Sequence, residues 1–188
     1  MPRLFSFKPA TTYSGRKFKG LRGFSGKPTH PPLTDFPIVC YVLVGVFDLI
    51  SFIAGDASRT ATDFYRAGTF VIIAGAVVSL GAIVTGFADY LQSTPKHTQA
   101  WRTVNTHMAI MVTVTVIVLV DIAIRLSHGS GGYAELAVLV PSLLVAALVS
   151  LGAAFGGSLV YDYGFNVETA ADSPVWEQSE TDVFPGDK

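Results

Sequence analysis

Four long apolar runs dominate this chain of 188 residues and leave few choices of fold. Each is about as long as a hydrocarbon crossing demands, since a layer of about 30 Å needs roughly 20 apolar residues at about 1.5 Å of helical rise per residue. The runs cover residues 34–54, 67–90, 104–126 and 135–161. Between them stand breakers: Gly55-Asp56, Ser93-Thr94-Pro95 and Gly129-Ser130-Gly131-Gly132. The runs are continuously apolar and far longer than the ~10-residue alternating strands of a membrane barrel. The expected fold class is therefore all-α, an integral membrane four-helix bundle of residues 34–161, flanked by an irregular tail over 1–33 and another over 162–188. Only 14 % of residues are charged, against roughly 25 % in an average soluble domain.

The net charge of −1 conceals a polarised chain. Arg3, Lys8, Arg16, Lys17, Lys19, Arg22 and Lys27 all precede the first acid, Asp35, whereas the last 27 residues carry seven acids and Lys188 alone. Four spans put the N-terminal tail, the second loop and the C-terminal tail on one side. That side holds ten of the 13 basic residues, and the other holds Arg59, Arg66 and Arg125. Positive flanks stay cytoplasmic, so both termini are expected in the cytoplasm, with the protein multi-pass in a cell membrane, either the inner/plasma or an intracytoplasmic one. The juxtamembrane position already explains the basic tail, so nucleic acid is not an expected partner. Residues 1–30 lack the apolar core of a secretory signal, and the tail is expected to persist.

One cysteine, Cys40, excludes an intrachain disulfide framework and any multi-cysteine zinc or iron–sulfur site within the chain; it is expected to pack in the apolar interior. The small residues Gly152 and Gly156 form a GxxxG pair that lets helices approach closely, with packing inside the bundle favoured over dimerisation. Pro141 falls near the start of the fourth run, where lipid-embedded helices tolerate it. Trp101, Tyr65, Tyr90, Tyr133, Tyr161 and Tyr163 lie near span ends, as interfacial anchors do.

Ionisable groups inside spans cost about 2.5–3.5 kcal/mol on insertion scales and need a partner, a cavity or an interface. Threading the chain back and forth sorts them into two sets. At the cytoplasmic end His30, Asp35, Asp89, Asn105, His107, Tyr161 and Tyr163 reach one depth. Toward the other end lie Asp48, Asp121 and Arg125, the last two at i and i+4 on one helix face. That second set is expected to be a structural ion cluster.

The first set leaves three chemistries open. His30 and His107 on different helices suit the axial positions of a b-type haem; the same histidines with Asp35 or Asp89 suit a divalent metal; or they are hydrogen-bonded residues with no cofactor. His97 and His128 fall in polar loops and are expected to be solvated.

Several motifs together resemble a known family. They are Gly26-Lys27-Pro28-Thr29-His30-Pro31-Pro32-Leu33-Thr34-Asp35-Phe36-Pro37-Ile38, then Phe47-Asp48-Leu49, Gly86-Phe87-Ala88-Asp89-Tyr90-Leu91, His107 eighteen residues before Arg125, and the closing Gly156-Gly157-Ser158-Leu159-Val160-Tyr161-Asp162-Tyr163-Gly164-Phe165-Asn166-Val167. The set resembles an uncharacterised bacterial family of four-span membrane proteins, a domain of unknown function. Lys27 stands where many relatives carry histidine, and Met111 where an asparagine often follows the span-three histidine. Some relatives are joined to Rieske-type iron–sulfur domains, which implies a neighbourhood of membrane electron transfer.

The basic tail intersperses Phe5, Phe7, Tyr13, Phe18 and Phe24, and the acidic tail carries Val175, Trp176, Val183 and Phe184, too few apolar residues for a core. There is no nucleophile constellation and no nucleotide loop. The residues favour an accessory, non-catalytic subunit of a larger membrane complex that meets the bilayer and other subunits through its tails and bundle surface, and the resemblance implies that the complex is one of respiratory or photosynthetic electron transfer. The alternatives are a haem b redox protein using His30 and His107, and a small transporter or proton-conducting protein using Asp35, Asp48, Asp89 and Asp121.

Overall fold

A computed structural model describes residues 6–13, 16–22, 28–56, 58–93, 96–129 and 132–165. The acidic tail from residue 166 onward, with its Trp176 and Phe184, lies outside the described residues, as does Lys27. In chain order the elements are β1 (Ser6–Tyr13), β2 (Arg16–Arg22), α1 (His30–Ala54), α2 (Arg59–Ser93), α3 (Gln99–His128) and α4 (Leu136–Tyr161). All four helices are long and apolar enough to cross a membrane, as the four runs require.

Three helices begin before the apolar runs do, each for a local reason. Helix α1 starts at His30 because Pro31 and Pro32 occupy its first positions, where a missing N–H costs nothing and φ is already helical. Helix α2 starts at Arg59, eight residues ahead of its apolar run. Ser58 opens it, its hydroxyl accepting from the Ala61 N–H at 3.4 Å and its carbonyl from the Thr62 N–H. Helix α3 starts at Gln99 because the Thr98 hydroxyl accepts from the Trp101 N–H at 3.1 Å, a side-chain N-cap.

The N-terminal tail departs from the irregular form expected of it. Strands β1 and β2 pair antiparallel, Ser6 opposite Arg22 and Tyr13 opposite Arg16, with an irregularity between Pro9 and Thr11. A lone hairpin is marginal in water. This one is pinned at Leu21, whose carbonyl accepts from the Thr29 hydroxyl at 2.9 Å and whose N–H donates to Asp89 Oδ1 at 2.7 Å.

Helix α1 packs extensively on α2 and on α4, α3 packs on α4, and α2 touches α3 only lightly. The interior is a column of Cys40, Tyr41, Val44, Ile72, Val114, Val118, Val145 and Val149. Small residues set the spacing: a Cβ on Gly75 would lie 2.8 Å from the Cys40 Cβ, so α1 and α2 meet backbone to backbone there. Beyond the column, Ser51 is a buried knot, its hydroxyl donating to the Ala61 carbonyl at 2.7 Å and accepting from the Ala134 N–H at 2.9 Å. It ties the turns after α1 and before α4 to α2.

Candidate functional site

The polar residues of the spans separate into two centres at opposite ends of the bundle. His30 and Asp48 on α1 are eighteen residues apart, and so are His107 and Arg125 on α3. Five helical turns are about 27 Å, close to the hydrocarbon thickness. One group of each pair therefore sits at the tail end and the other at the far end.

At the far end the expected ion cluster is formed, entirely buried. Asp48 and Asp121 are 0 % exposed and Arg125 is 1 % exposed. Arg125 Nε donates to Asp121 Oδ1 at 2.9 Å and one terminal nitrogen, Nη2, reaches Asp121 Oδ2 at 3.3 Å. The same Nη2 donates to Asp48 Oδ2, while Nη1 lies 3.5 Å from Thr69 Oγ1. The guanidinium thus joins α1, α2 and α3. Its carbon lies 5.5 Å from the centre of the Tyr65 ring, a cation–π contact made stronger by the absence of water. Tyr65, expected at the membrane interface, is instead 2 % exposed; the early start of α2 places it one turn before Gly68 and Thr69, inside the bundle. Gly68 leaves room for the cluster, since a Cβ there would lie a tight 3.1 Å from Asp48 Oδ1 and 3.3 Å from Arg125 Nη1.

The tail end is built differently. His30 Nδ1 lies 2.9 Å from the Ala82 carbonyl, and His107 Nδ1 lies 2.8 Å from the Gly152 carbonyl. A carbonyl oxygen can only accept, so each Nδ1 carries the proton and each neutral ring keeps its lone pair on Nε2. Neither Nε2 has a hydrogen-bond partner among the described residues. Four residues beyond each accepting carbonyl comes a glycine that makes room for the ring: a Cβ on Gly86 would fall 2.5 Å from His30 Cε1, and one on Gly156 3.2 Å from His107 Cε1. The GxxxG pair therefore faces α3 inside the bundle. Gly152 lies against Met111, whose Sδ would be 2.6 Å from its Cβ.

The remaining tail-end groups do not gather around the histidines. Asp89 holds the hairpin through Leu21, and Asp35 is exposed. Tyr90 donates to Asn105 Oδ1 at 3.2 Å, joining α2 to α3, while Asn105 Nδ2 donates back to the Trp101 carbonyl at 2.6 Å. Tyr163 Oη is 3.5 Å from Thr103 Oγ1, and Tyr161 is 88 % exposed. Among the described residues no three His, Cys, Asp or Glu side chains form a group able to hold a metal ion. The divalent-metal set of His30, His107, Asp35 and Asp89 is not assembled, because its two acids are committed elsewhere or turned outward. His97 and His128 are exposed, though His128 is the last residue of α3 and not part of a loop.

Residues 26–169 match the family described as predicted membrane protein, DUF2231. The chain belongs to that family. No curated protein and no solved structure matches it. The family match spans both centres and all four helices, and it starts after the hairpin. What family membership carries is a membrane protein of unknown function, consistent with the four apolar helices.

Tyr65, Gly68 and Thr69 complete the surroundings of Asp48, Asp121 and Arg125, and depth along the chain did not mark them. One signal was present: Tyr65, Gly68 and Thr69 lie within one helical turn of each other. Nothing in the sequence marked Leu21 as the backbone that Asp89 holds.

Proposed function

We propose that this DUF2231 protein is an accessory, non-catalytic subunit of a larger membrane complex, with its N-terminal hairpin as a docking segment. The observation that supports this reading is the hairpin itself, fastened at Leu21 to Asp89 and Thr29 at the end of the bundle. Its strand β1 has no strand on its outer side among the described residues, and a free edge is what a partner uses to add a strand. Five of the basic residues, Lys8, Arg16, Lys17, Lys19 and Arg22, belong to the two strands, a bias of the sequence that favours an acidic partner. The positive-flank rule puts it in the cytoplasm. The Rieske-linked relatives favour an electron-transfer complex.

Purification of the tagged full chain from its native membrane in mild detergent tests this. Co-purification of stoichiometric subunits, lost when residues 1–22 are deleted, is the expected result. A monodisperse monomer with no associated chain overturns the proposal.

A second reading has its own observation. Both imidazoles are held through Nδ1–H with Nε2 left free, which is how ligating histidines are oriented by a backbone carbonyl. They would hold a b-type haem, which supplies one-electron redox chemistry; the protein's part is to fix two neutral rings and exclude water. A Soret band lost in both His30→Ala and His107→Ala supports it. A folded, colourless preparation from haem-replete cells ends it and leaves the two histidines as helix clamps.

A further inference from the structure

We propose that Asp48 Oδ1 is a proton-binding site, and that the buried far-end triad holds one exchangeable proton there. Two carboxylates and one guanidinium carry a net −1 when fully ionised, and all three are buried, in a layer where uncompensated charge is costly. One added proton brings the triad to zero.

The geometry selects which acid takes it. Both oxygens of Asp121 receive hydrogen bonds from Arg125, the forked arrangement that holds a carboxylate ionised. Asp48 is engaged through Oδ2 alone. Its Oδ1 is buried and has no hydrogen-bond partner among the described residues. Tyr65 Oη, on the neighbouring helix, is the other buried polar atom without a partner there. Two buried polar atoms around one guanidinium thus have no protein partner, and a carboxyl oxygen in that position is the one able to carry a proton.

The neighbours from each element fit that assignment. Helix α2 contributes Tyr65, Gly68 and Thr69, none of them charged, and α3 contributes Asp121 and Arg125. From α4 comes Ser142, whose side chain neighbours the Asp48 carboxyl; its hydroxyl donates to the Leu139 carbonyl at 3.0 Å, which leaves its oxygen to accept from a protonated Asp48. Glu135, at the start of α4, is exposed. No second cation among these groups neutralises the surplus charge. Protonation forms one O–H bond on Oδ1 and breaks none within the triad, and the Arg125–Asp48 contact through Oδ2 persists.

The site stands independently of the accessory reading, since it needs no partner. Infrared titration of the full chain in lipid nanodiscs tests it. The expected result is a protonated-carboxyl C=O band that shifts in D2O and bleaches reversibly as pH rises. Asp48→Glu is expected to move it, and Asp121→Glu to leave it in place. A folded protein without such a band, a band indifferent to pH, or one that follows Asp121→Glu overturns the proposal. Should Asp48→Glu fail to fold, Asp48→Asn decides: loss of the band supports the site, and a band that persists overturns it.

Discussion

The two ends of the bundle solve the same problem, polar side chains within apolar helices, with opposite chemistry. At the far end full charges meet directly, Arg125 against Asp121 and Asp48. At the tail end neutral imidazoles meet backbone carbonyls on an adjacent helix, His30 on α2 and His107 on α4. The difference teaches what each can bear. A charge cluster depends on stoichiometry: remove one member and a buried charge is stranded. An imidazole on a carbonyl depends on fit: its loss leaves an accepted hydrogen bond unmade, and its crowding displaces a ring.

The most forceful way to break the comparison is Arg125→Ala. It strands two buried carboxylates, and removal of one partner from a buried pair costs about 3–5 kcal/mol. Thermal denaturation in detergent is expected to show the largest loss here, partly recovered when Asp48→Asn and Asp121→Asn are added. No recovery in the triple variant contradicts a charge-based account.

At the tail end the matching disruption is steric. Gly86→Ala places a Cβ 2.5 Å from His30 Cε1, which forces the ring off its carbonyl at about 1–3 kcal/mol, the usual cost of overpacking. Gly156→Ala is milder, since its Cβ would meet His107 Cε1 at 3.2 Å; a ring shift of tenths of an ångström accommodates it. Equal melting temperatures for the two variants, measured side by side, argue against the ring-on-glycine packing.

Asp89→Ala leaves the bundle intact and removes the acceptor of the Leu21 N–H. Its expected signature is faster limited proteolysis around residues 6–22, with the helical circular dichroism unchanged. Smallest of all is Arg59→Ala. Its 3.6 Å pair with Asp63 has side chains 95 % and 60 % exposed, and exposed pairs contribute little. No measurable change in melting is expected, which sets the scale against which Arg125 is judged.

Much of this was legible from the residues. The four helices were, because a run of apolar residues with no water to satisfy its backbone has to satisfy it locally. The Asp121–Arg125 pair was, through its i,i+4 spacing, and Asp48 through depth counting. The tail-end layer was legible only as depth. Equal depth brought His30, His107, Asp35 and Asp89 to one level, yet each helix's rotation sent them to Ala82, Gly152, open surroundings and Leu21. Tyr65 was misassigned because an aromatic near a span end looks alike whether it turns toward lipid or inward.

The pairing of β1 and β2 was hidden for another reason. Its strands mix basic and aromatic residues without the strict alternation of a half-buried sheet, and what fastens it is backbone at Leu21.

What the sequence determined by itself is thus the number of crossings, their approximate limits and the two polar levels, all properties carried by short-range spacing and the thickness of the membrane. Tertiary structure alone decided the partner of each polar group: the free oxygen on Asp48, the ring of Tyr65 over Arg125, and the carbonyls that claim the two histidines. Those outcomes depend on the rotation and close approach of helices, which glycines at 68, 86 and 156 permit. In an apolar solvent each rotation is settled by packing and by which buried groups find a donor or acceptor, and neither can be counted along a single helix.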